Sequence, residues 1–177
     1  MILHLYKELS GNILDIGGGG EGIIGRLYRE QVTAIDSRQE ELDEAPNVCK
    51  KVLMDATALQ QEANSFDNVT FFFTLLFMGE EEQRKAIGEA TRVLKRGGEL
   101  HIWDCNIASA YPVPFCVDVV VQMPHETIKT TYGVGKLDSQ DMHSILKMCE
   151  DEGLTTLSCQ QSEEHFYLKV QKEYSRR

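Results

Sequence analysis

Apolar and polar positions alternate along the chain in a rhythm that predicts strands and helices in turn. Ile13, Leu14 and Ile16 make a short apolar strand that runs into four consecutive glycines, Gly17 to Gly20. Past Glu21 and Gly22, Ile23, Ile24 and Leu27 fall at helical spacing in a segment that ends near Glu30. Val32 to Ile35 gives a second strand closing on Asp36. Gln39 to Glu44 gives a short helix that stops before Pro46, because proline disfavours helix in the residue before it. A third strand lies within Val48 to Met54 and ends at Asp55. The fourth, Asn68 to Phe73, sits in a run (VTFFFTLLFM) that is apolar on both faces, as a strand in the middle of a parallel sheet should be. Ala86, Ile87, Ala90, Val93 and Leu94 recur at helical spacing over Glu81 to Lys95, with acids in the first turn and Lys95 and Arg96 in the last. Gly97 and Gly98 are expected to stop that helix, and Glu99 to Trp103 to form the fifth strand, ending at Asp104.

The rhythm then breaks. Pro112 and Pro114 mark a linker, after which Phe115, Val117, Val119, Val121 and Met123 alternate at a strand period. With a turn at Pro124 to Thr127 and a return strand up to Tyr132, residues 115–132 read as an inserted hairpin. Asp138 with Asp141 resembles a capping box before Met142, Ile145, Leu146 and Cys149, and Gly153 ends that helix. Leu154 to Cys159 and His165 to Val170 have only a short link, so they should pair antiparallel. Leu3, Leu5 and Leu9 fit no period well; a short opening helix is expected there. Together these elements predict one α/β domain over 1–177 with a doubly wound, mostly parallel sheet. Ligands of such sheets sit at the carboxyl ends of the strands. The positions that matter are therefore Gly17 to Gly20, Asp36, Asp55, Phe73 to Phe77, and Asp104.

Charge narrows the ligand. The net charge of −10 argues against a nucleic-acid backbone as the main partner. The five cysteines are odd in number and widely spaced, with no C-x-x-C pair, so buried thiols are expected rather than disulfides or a zinc site. No apolar run approaches the ~20 residues needed to span a bilayer, and the N-terminus lacks the basic and cleavage regions of a secretory signal. A cytoplasmic location and no membrane partner are expected.

The glycine turn itself admits two readings. Gly17, Gly19 and Gly22 satisfy G-x-G-x-x-G, and Asp36 lies 36 − 17 = 19 residues on, where an acid grips ribose hydroxyls. A nicotinamide- or flavin-binding protein fits that spacing. Against it, Asp15 stands where the dinucleotide fingerprint has an apolar or small residue, and the chain leaves no room for a separate catalytic domain. At these same residues the chain resembles the class I S-adenosylmethionine-dependent methyltransferases. Asp15, Gly17 and Gly19 match the family's D-x-G-x-G motif, and Asp36 its acid after the second strand. Asp55 with Ala56 looks like the third motif. Ser65-Phe66-Asp67-Asn68-Val69 resembles the lead into the fourth strand, and residues 90–98 (ATRVLKRGG) resemble the family's R-V-L-K-P-G-G turn with Arg96 in place of proline.

The resemblance implies a Rossmann-like sheet of order 3-2-1-4-5-7-6 and S-adenosylmethionine as cofactor. It implies a cofactor site at Asp15, Gly17, Gly18, Gly19, Glu21, Asp36, Ser37, Asp55, Ala56, Phe73 and Thr74, with Asp36 on the ribose diol and Asp55 and Ala56 at the adenine edge. Methyl transfer from a preactivated sulfonium needs positioning and desolvation more than a triad or a metal, and no metal is expected. Asp15 either shapes the turn or touches the cofactor. Glu21 stands where the family has a third glycine, so either the turn is one residue longer or Glu21 meets the methionine amino group. Thr74-Leu75-Leu76-Phe77 carries no N-P-P-Y signature, which speaks against methylation of exocyclic amines in nucleic acid or glutamine. Asp104 is a candidate general base or substrate anchor, with a capping acid as the plainer alternative. A small-molecule acceptor is expected. The hairpin is either a lid, the favoured reading, or a homodimer contact, and Tyr111 and Tyr132 either wall the site or pack the linker. A nicotinamide-binding protein and a catalytically silent binding module of the same fold remain the alternatives.

Overall fold

A computed structural model describes residues 1–108, 112–136 and 138–174. The chain forms β1 (Ile2–His4), β2 (Ile13–Ile16), α1 (Ile23–Tyr28), β3 (Val32–Asp36), α2 (Gln39–Glu44), β4 (Lys50–Leu53) and β5 (Phe66–Phe72). It continues through α3 (Glu80–Val93), β6 (Leu94–Cys105), β7 (Phe115–Gln122), β8 (Thr127–Val134), α4 (Met142–Asp151), β9 (Leu154–Gln161) and β10 (His165–Lys172).

Seven strands make the main sheet, in the order β4-β3-β2-β5-β6-β10-β9. The first five run parallel, and β10 runs antiparallel to both β6 and β9. The labels differ from those of the sequence-based order because β1, β7 and β8 lie outside this sheet. These three form a second sheet of order β1-β7-β8, with β1 parallel to β7 and β7 antiparallel to β8.

Apolar side chains fill both faces of the main sheet. On one, Ala86, Ile87, Ala90 and Val93 of α3 and Ile145, Met148 and Cys149 of α4 pack against Leu14, Val69, Phe71, Leu100, Ile102 and Leu168. On the other, Ile23, Ile24 and Tyr28 of α1 join Ile13, Val32, Phe72 and Phe73. Val117, Val119 and Val121 of β7 close that second core from above and are buried. The valine-rich strand is thus covered within the chain. β8, one of the two edges of the small sheet, alternates between exposed and half-buried residues.

Four local expectations need correction. Residues 2–4 are a strand, because Leu3 and Leu5 reach the second core while β7 supplies ladder partners. The helix ends at Val93, and Gly97 and Gly98 lie inside β6, where a register shift lets Phe66 oppose Leu94 and Asn68 oppose Glu99. Gly97 has φ +76°, a left-handed conformation that favours glycine. The hairpin's return strand runs to Val134 rather than Tyr132. The cap of α4 is Asp141, whose carboxylate accepts from the Ser144 N–H at 2.7 Å; Asp138 takes no part in it.

Candidate functional site

The carboxyl ends of β2, β3 and β5 open into a cavity of about 650 Å³ bounded by the glycine turn, α2 and the hairpin. The turn is built by close approach. A Cβ on Gly17 (φ +75°) would fall 2.3 Å from Cγ2 of Thr74, one on Gly18 2.5 Å from Oδ2 of Asp15, and one on Gly19 2.5 Å from Cβ of Glu41. The N–H groups of Gly17 and Gly18 both donate to the Ile35 carbonyl (2.8 and 3.0 Å), and that of Gly20 donates to Glu41 (2.8 Å). Those three groups therefore tie the turn to β3 and α2 and are not bare donors toward the cavity.

Asp15 lies beneath the turn and is 2% exposed. The Thr70 hydroxyl donates to its carboxylate at 2.6 Å. Burial pushes its pKa up to about 7; the Thr70 bond opposes the shift and the charge of Asp36 adds to it. Asp36, at the end of β3, accepts the Arg38 N–H on Oδ1 at 3.0 Å and sets Oδ2 beside Gly19. Ser37 and Arg38 follow along the same wall, where the Arg38 guanidinium pairs with Glu41. Asp55 accepts the Thr57 N–H and hydroxyl on Oδ1, each at 2.7 Å, and these bonds hold its carboxyl below the usual range. Asp55 therefore shapes its own loop while it lines the cavity with Ala56.

The far end is aromatic. Phe73 takes φ +50°, a left-handed conformation rare for a bulky residue, and its N–H donates to the Trp103 carbonyl at 2.8 Å. Its ring lies parallel to that of Tyr132 on β8, with centroids 4.8 Å apart. Thr74 turns its hydroxyl to the Ile16 carbonyl at 3.0 Å. Phe77, Met78, Glu82 and Thr131 complete this end. Glu82 also accepts the Gly79 N–H at 2.9 Å. Sequence patterning assigned Glu82 only a helix-start role; nothing in its spacing signals that the short turn at residues 75–77 brings it to the cavity.

Glu21 lines the cavity as well, and its carboxylate accepts the Thr130 hydroxyl of the hairpin. Beside it, Arg26 donates to the Glu21 carbonyl at 2.7 Å and pairs with Glu126 at 2.9 Å. The hairpin is therefore latched to the glycine turn and walls the site, with Tyr132 both a wall residue and a packing residue.

Asp104 does not face this cavity. It is fully buried on the other side of β6, where it accepts from Gln140 (2.8 Å), the Cys105 N–H (2.8 Å) and the Leu76 N–H (3.3 Å). Burial pushes its pKa up to about 6. Lys136, also buried, donates to the Met78 carbonyl at 2.6 Å and to Gln140 at 3.1 Å. Asp104, expected to face the substrate side, lies outside the cavity lining and holds Gln140 to the body of the fold. Its parity carries the signal, since it alternates with Trp103 and shares a face with Leu100 and Ile102 of the first core.

His101 is buried outside the cavity, with Nδ1 2.9 Å from the Tyr167 hydroxyl. Its Nε2 lacks a hydrogen bond, although Glu99 lies 3.3 Å away, so it is only half satisfied. His125 is exposed at the hairpin turn, and Tyr111 lies outside the described residues. Among the described residues no group of three or more His, Cys, Asp or Glu is arranged to hold a metal, and no helix is long and apolar enough to cross a membrane.

A family pattern described as a methyltransferase domain matches residues 14–102, half of the chain, from the middle of β2 to β6. No curated protein sequence matches it. Among solved structures, a methyltransferase dependent on S-adenosylmethionine from Methanosarcina mazei superposes with a TM-score of 0.69 at 17% identity, covering 94% of this chain and 95% of that one. The N-methyltransferase NodS from Bradyrhizobium japonicum gives 0.65 at 15% identity over 93% and 86% of the two chains. The 4+2 cyclase SpnF gives 0.68 at 17% identity over 94% and 77%. At such identities the likeness is one of fold.

Proposed function

From the premise that this chain belongs to the class I S-adenosylmethionine-dependent methyltransferase family, we propose that it binds S-adenosylmethionine and transfers the methyl group to a small molecule. The observation that carries this reading is Asp36: a strand-end carboxylate with one oxygen set beside Gly19, opening into a cavity walled on three sides. A ribose diol needs such an acceptor pair. On this reading Asp55 and Ala56 meet the adenine edge, and Gly17 to Gly19 give close passage to the methionine chain; all of them line the cavity. Glu21 then exchanges its Thr130 partner for the ammonium group of the methionine moiety.

When bound, S-adenosylmethionine supplies an electrophilic methyl group on a sulfonium. The chain's own residues do the rest: Asp36 orients, the glycines permit approach, and the Phe73–Tyr132 pair excludes water from the reacting end. Asp104 is buried outside the cavity lining, so no base role is proposed for it, and a silent binding module of the same fold is the second reading.

Titration calorimetry with S-adenosylhomocysteine tests the proposal. Wild type binds it and shows no NADH heat. Asp36→Ala weakens binding by about a hundredfold, in line with loss of a charged hydrogen-bonded pair, whereas Asp104→Ala changes affinity little. NADH binding in place of S-adenosylhomocysteine, or equal effects of the two substitutions, would overturn it. Tight binding with no product on a broad acceptor panel would favour the silent module.

A further inference from the structure

Around the cavity stand five carboxylates, Glu21, Asp36, Glu41, Asp55 and Glu82, with the buried Asp15, whose burial favours its protonated form, beneath the turn. Against them is one guanidinium, Arg38, which is already paired with Glu41. Two cations lie near but are not presented to it. Arg26 pairs with Glu126, and buried Lys136 turns its ammonium to backbone carbonyls. A bound S-adenosylmethionine would carry a net charge of about +1 (sulfonium and ammonium against one carboxylate) and would leave most of this negative field uncompensated.

The acceptor end adds two constraints. Its surfaces are the rings of Phe73, Tyr132 and Phe77 with Met78 beside them, and Glu82, whose carboxylate is held by the Gly79 N–H next to Met78, is a lining acid outside the proposed cofactor set. Aromatic faces next to a carboxylate are the pairing that recognises an ammonium ion. Among the described lining residues there is also no histidine, cysteine or lysine, and Asp104 is turned away. An alcohol must lose its proton to a positioned base as it reacts, and at the aromatic end the one carboxylate among the described lining residues, Glu82, already accepts the Gly79 N–H at 2.9 Å. An amine needs no such group, because its free base already carries the nucleophilic lone pair.

We infer that the acceptor is a basic primary or secondary amine with an apolar body, drawn in as the ammonium ion. This rests on the methyltransferase reading above and narrows it. The ammonium releases its proton to water near the cavity mouth. The nitrogen lone pair then forms the N–CH3 bond as the S–CH3 bond breaks. The sulfur keeps the bonding pair and leaves as a neutral thioether, and the methylated ammonium loses a second proton to solvent or departs charged. Anionic acceptors are repelled by the same field. A basic amine also differs from the exocyclic amines of nucleobases and glutamine, for which the chain lacks the N-P-P-Y motif.

The test is label transfer from methyl-labelled S-adenosylmethionine, with the full chain, to size-matched sets: benzylamine, phenethylamine and their N-methyl forms; benzyl alcohol and 2-phenylethanol; and 3-phenylpropionate. Label is expected in the amines alone. Glu82→Gln keeps the bond to the Gly79 N–H and should raise the KM for the best amine about tenfold, with kcat and S-adenosylhomocysteine affinity within about twofold. Added salt should raise KM for the amine in wild type more than in this variant. Label in the alcohols or the propionate in preference to the amines, no label in any amine while S-adenosylhomocysteine binds, or an unchanged KM in Glu82→Gln would overturn the inference. Failure to bind S-adenosylhomocysteine at all overturns the methyltransferase reading itself and is scored separately.

Discussion

Asp15 carries an ionisable group into a place where charge is disfavoured, and that has a sign. Its carboxyl ionises near 3.8 when unfolded and near 7 when folded. Between those values the folded chain holds a proton that the unfolded chain has lost, so stability falls as pH rises through that window. Buried Asp104, pushed to about 6, adds in the same direction. Asp15→Asn keeps an acceptor for the Thr70 hydroxyl and has no charge to bury. It is expected to match wild type near pH 4 and to exceed it at pH 8 by on the order of 2–4 kcal/mol in urea denaturation; equal curves at both pH values would refute the assignment. The glycines and Asp36 were legible in the sequence because a turn with no room for Cβ, and an acid at a strand end, leave residue-type signatures. Glu21 and Asp104 were less so. Each is an acid at a plausible position, and only the hairpin in one case and strand parity in the other decide where its oxygens point.

The hairpin shows what an element's period does and does not encode. Alternation of Val117, Val119 and Val121 marks a strand with one buried face, but it cannot say that the buried face lies on α1 and β5, or that β1 completes the sheet. A three-residue strand has too few positions to display a period, and the glycines in β6 mimic a helix stop because they serve a register shift. Of the contacts that fix the hairpin over the site, the Phe73–Tyr132 stack is inside and the Arg26–Glu126 pair is on the rim, with side chains 28% and 38% exposed. Tyr132→Ala should therefore cost about 1–3 kcal/mol of stability and weaken S-adenosylhomocysteine binding about tenfold, since it opens the wall beside the strained Phe73. Arg26→Ala should cost under about 1 kcal/mol and leave affinity nearly unchanged. Chemical denaturation and calorimetry on the two variants measure this directly; the reverse order of effects would mean that the rim pair, not the stack, closes the cavity.

The two faces of the main sheet are closed by different means, and this sets how the molecule should come apart. Helices α3 and α4 bring seven of the buried side chains that cover one face, in continuous amphipathic stripes. The other face depends on the six-residue α1 and on a small sheet held by its first strand, where Leu3 and Leu5 enter the core and the Leu5 N–H donates to Gln122 at 2.9 Å. Motifs between residues 14 and 102 made the first half of the fold legible, but β1 joins it only through contacts more than a hundred residues away in the chain, such as Leu3 with Val121. Such long-range pairing leaves little local trace. Leu3→Ala and Leu5→Ala together remove apolar volume from the second core alone. Each should cost about 2–3 kcal/mol, toward the low end for buried leucine because both sit at the core's margin. Hydrogen exchange should then quicken across β1, β7, β8 and α1 while α3, α4 and β10 keep their protection, because local opening follows the core that is weakened. Uniform loss of protection would show instead that the two cores unfold as one unit. In the expected case the glycine turn, which lies between them and takes its hairpin latch from the weaker side, should lose S-adenosylhomocysteine affinity well before the chain unfolds, so that binding and global stability separate along a denaturant series.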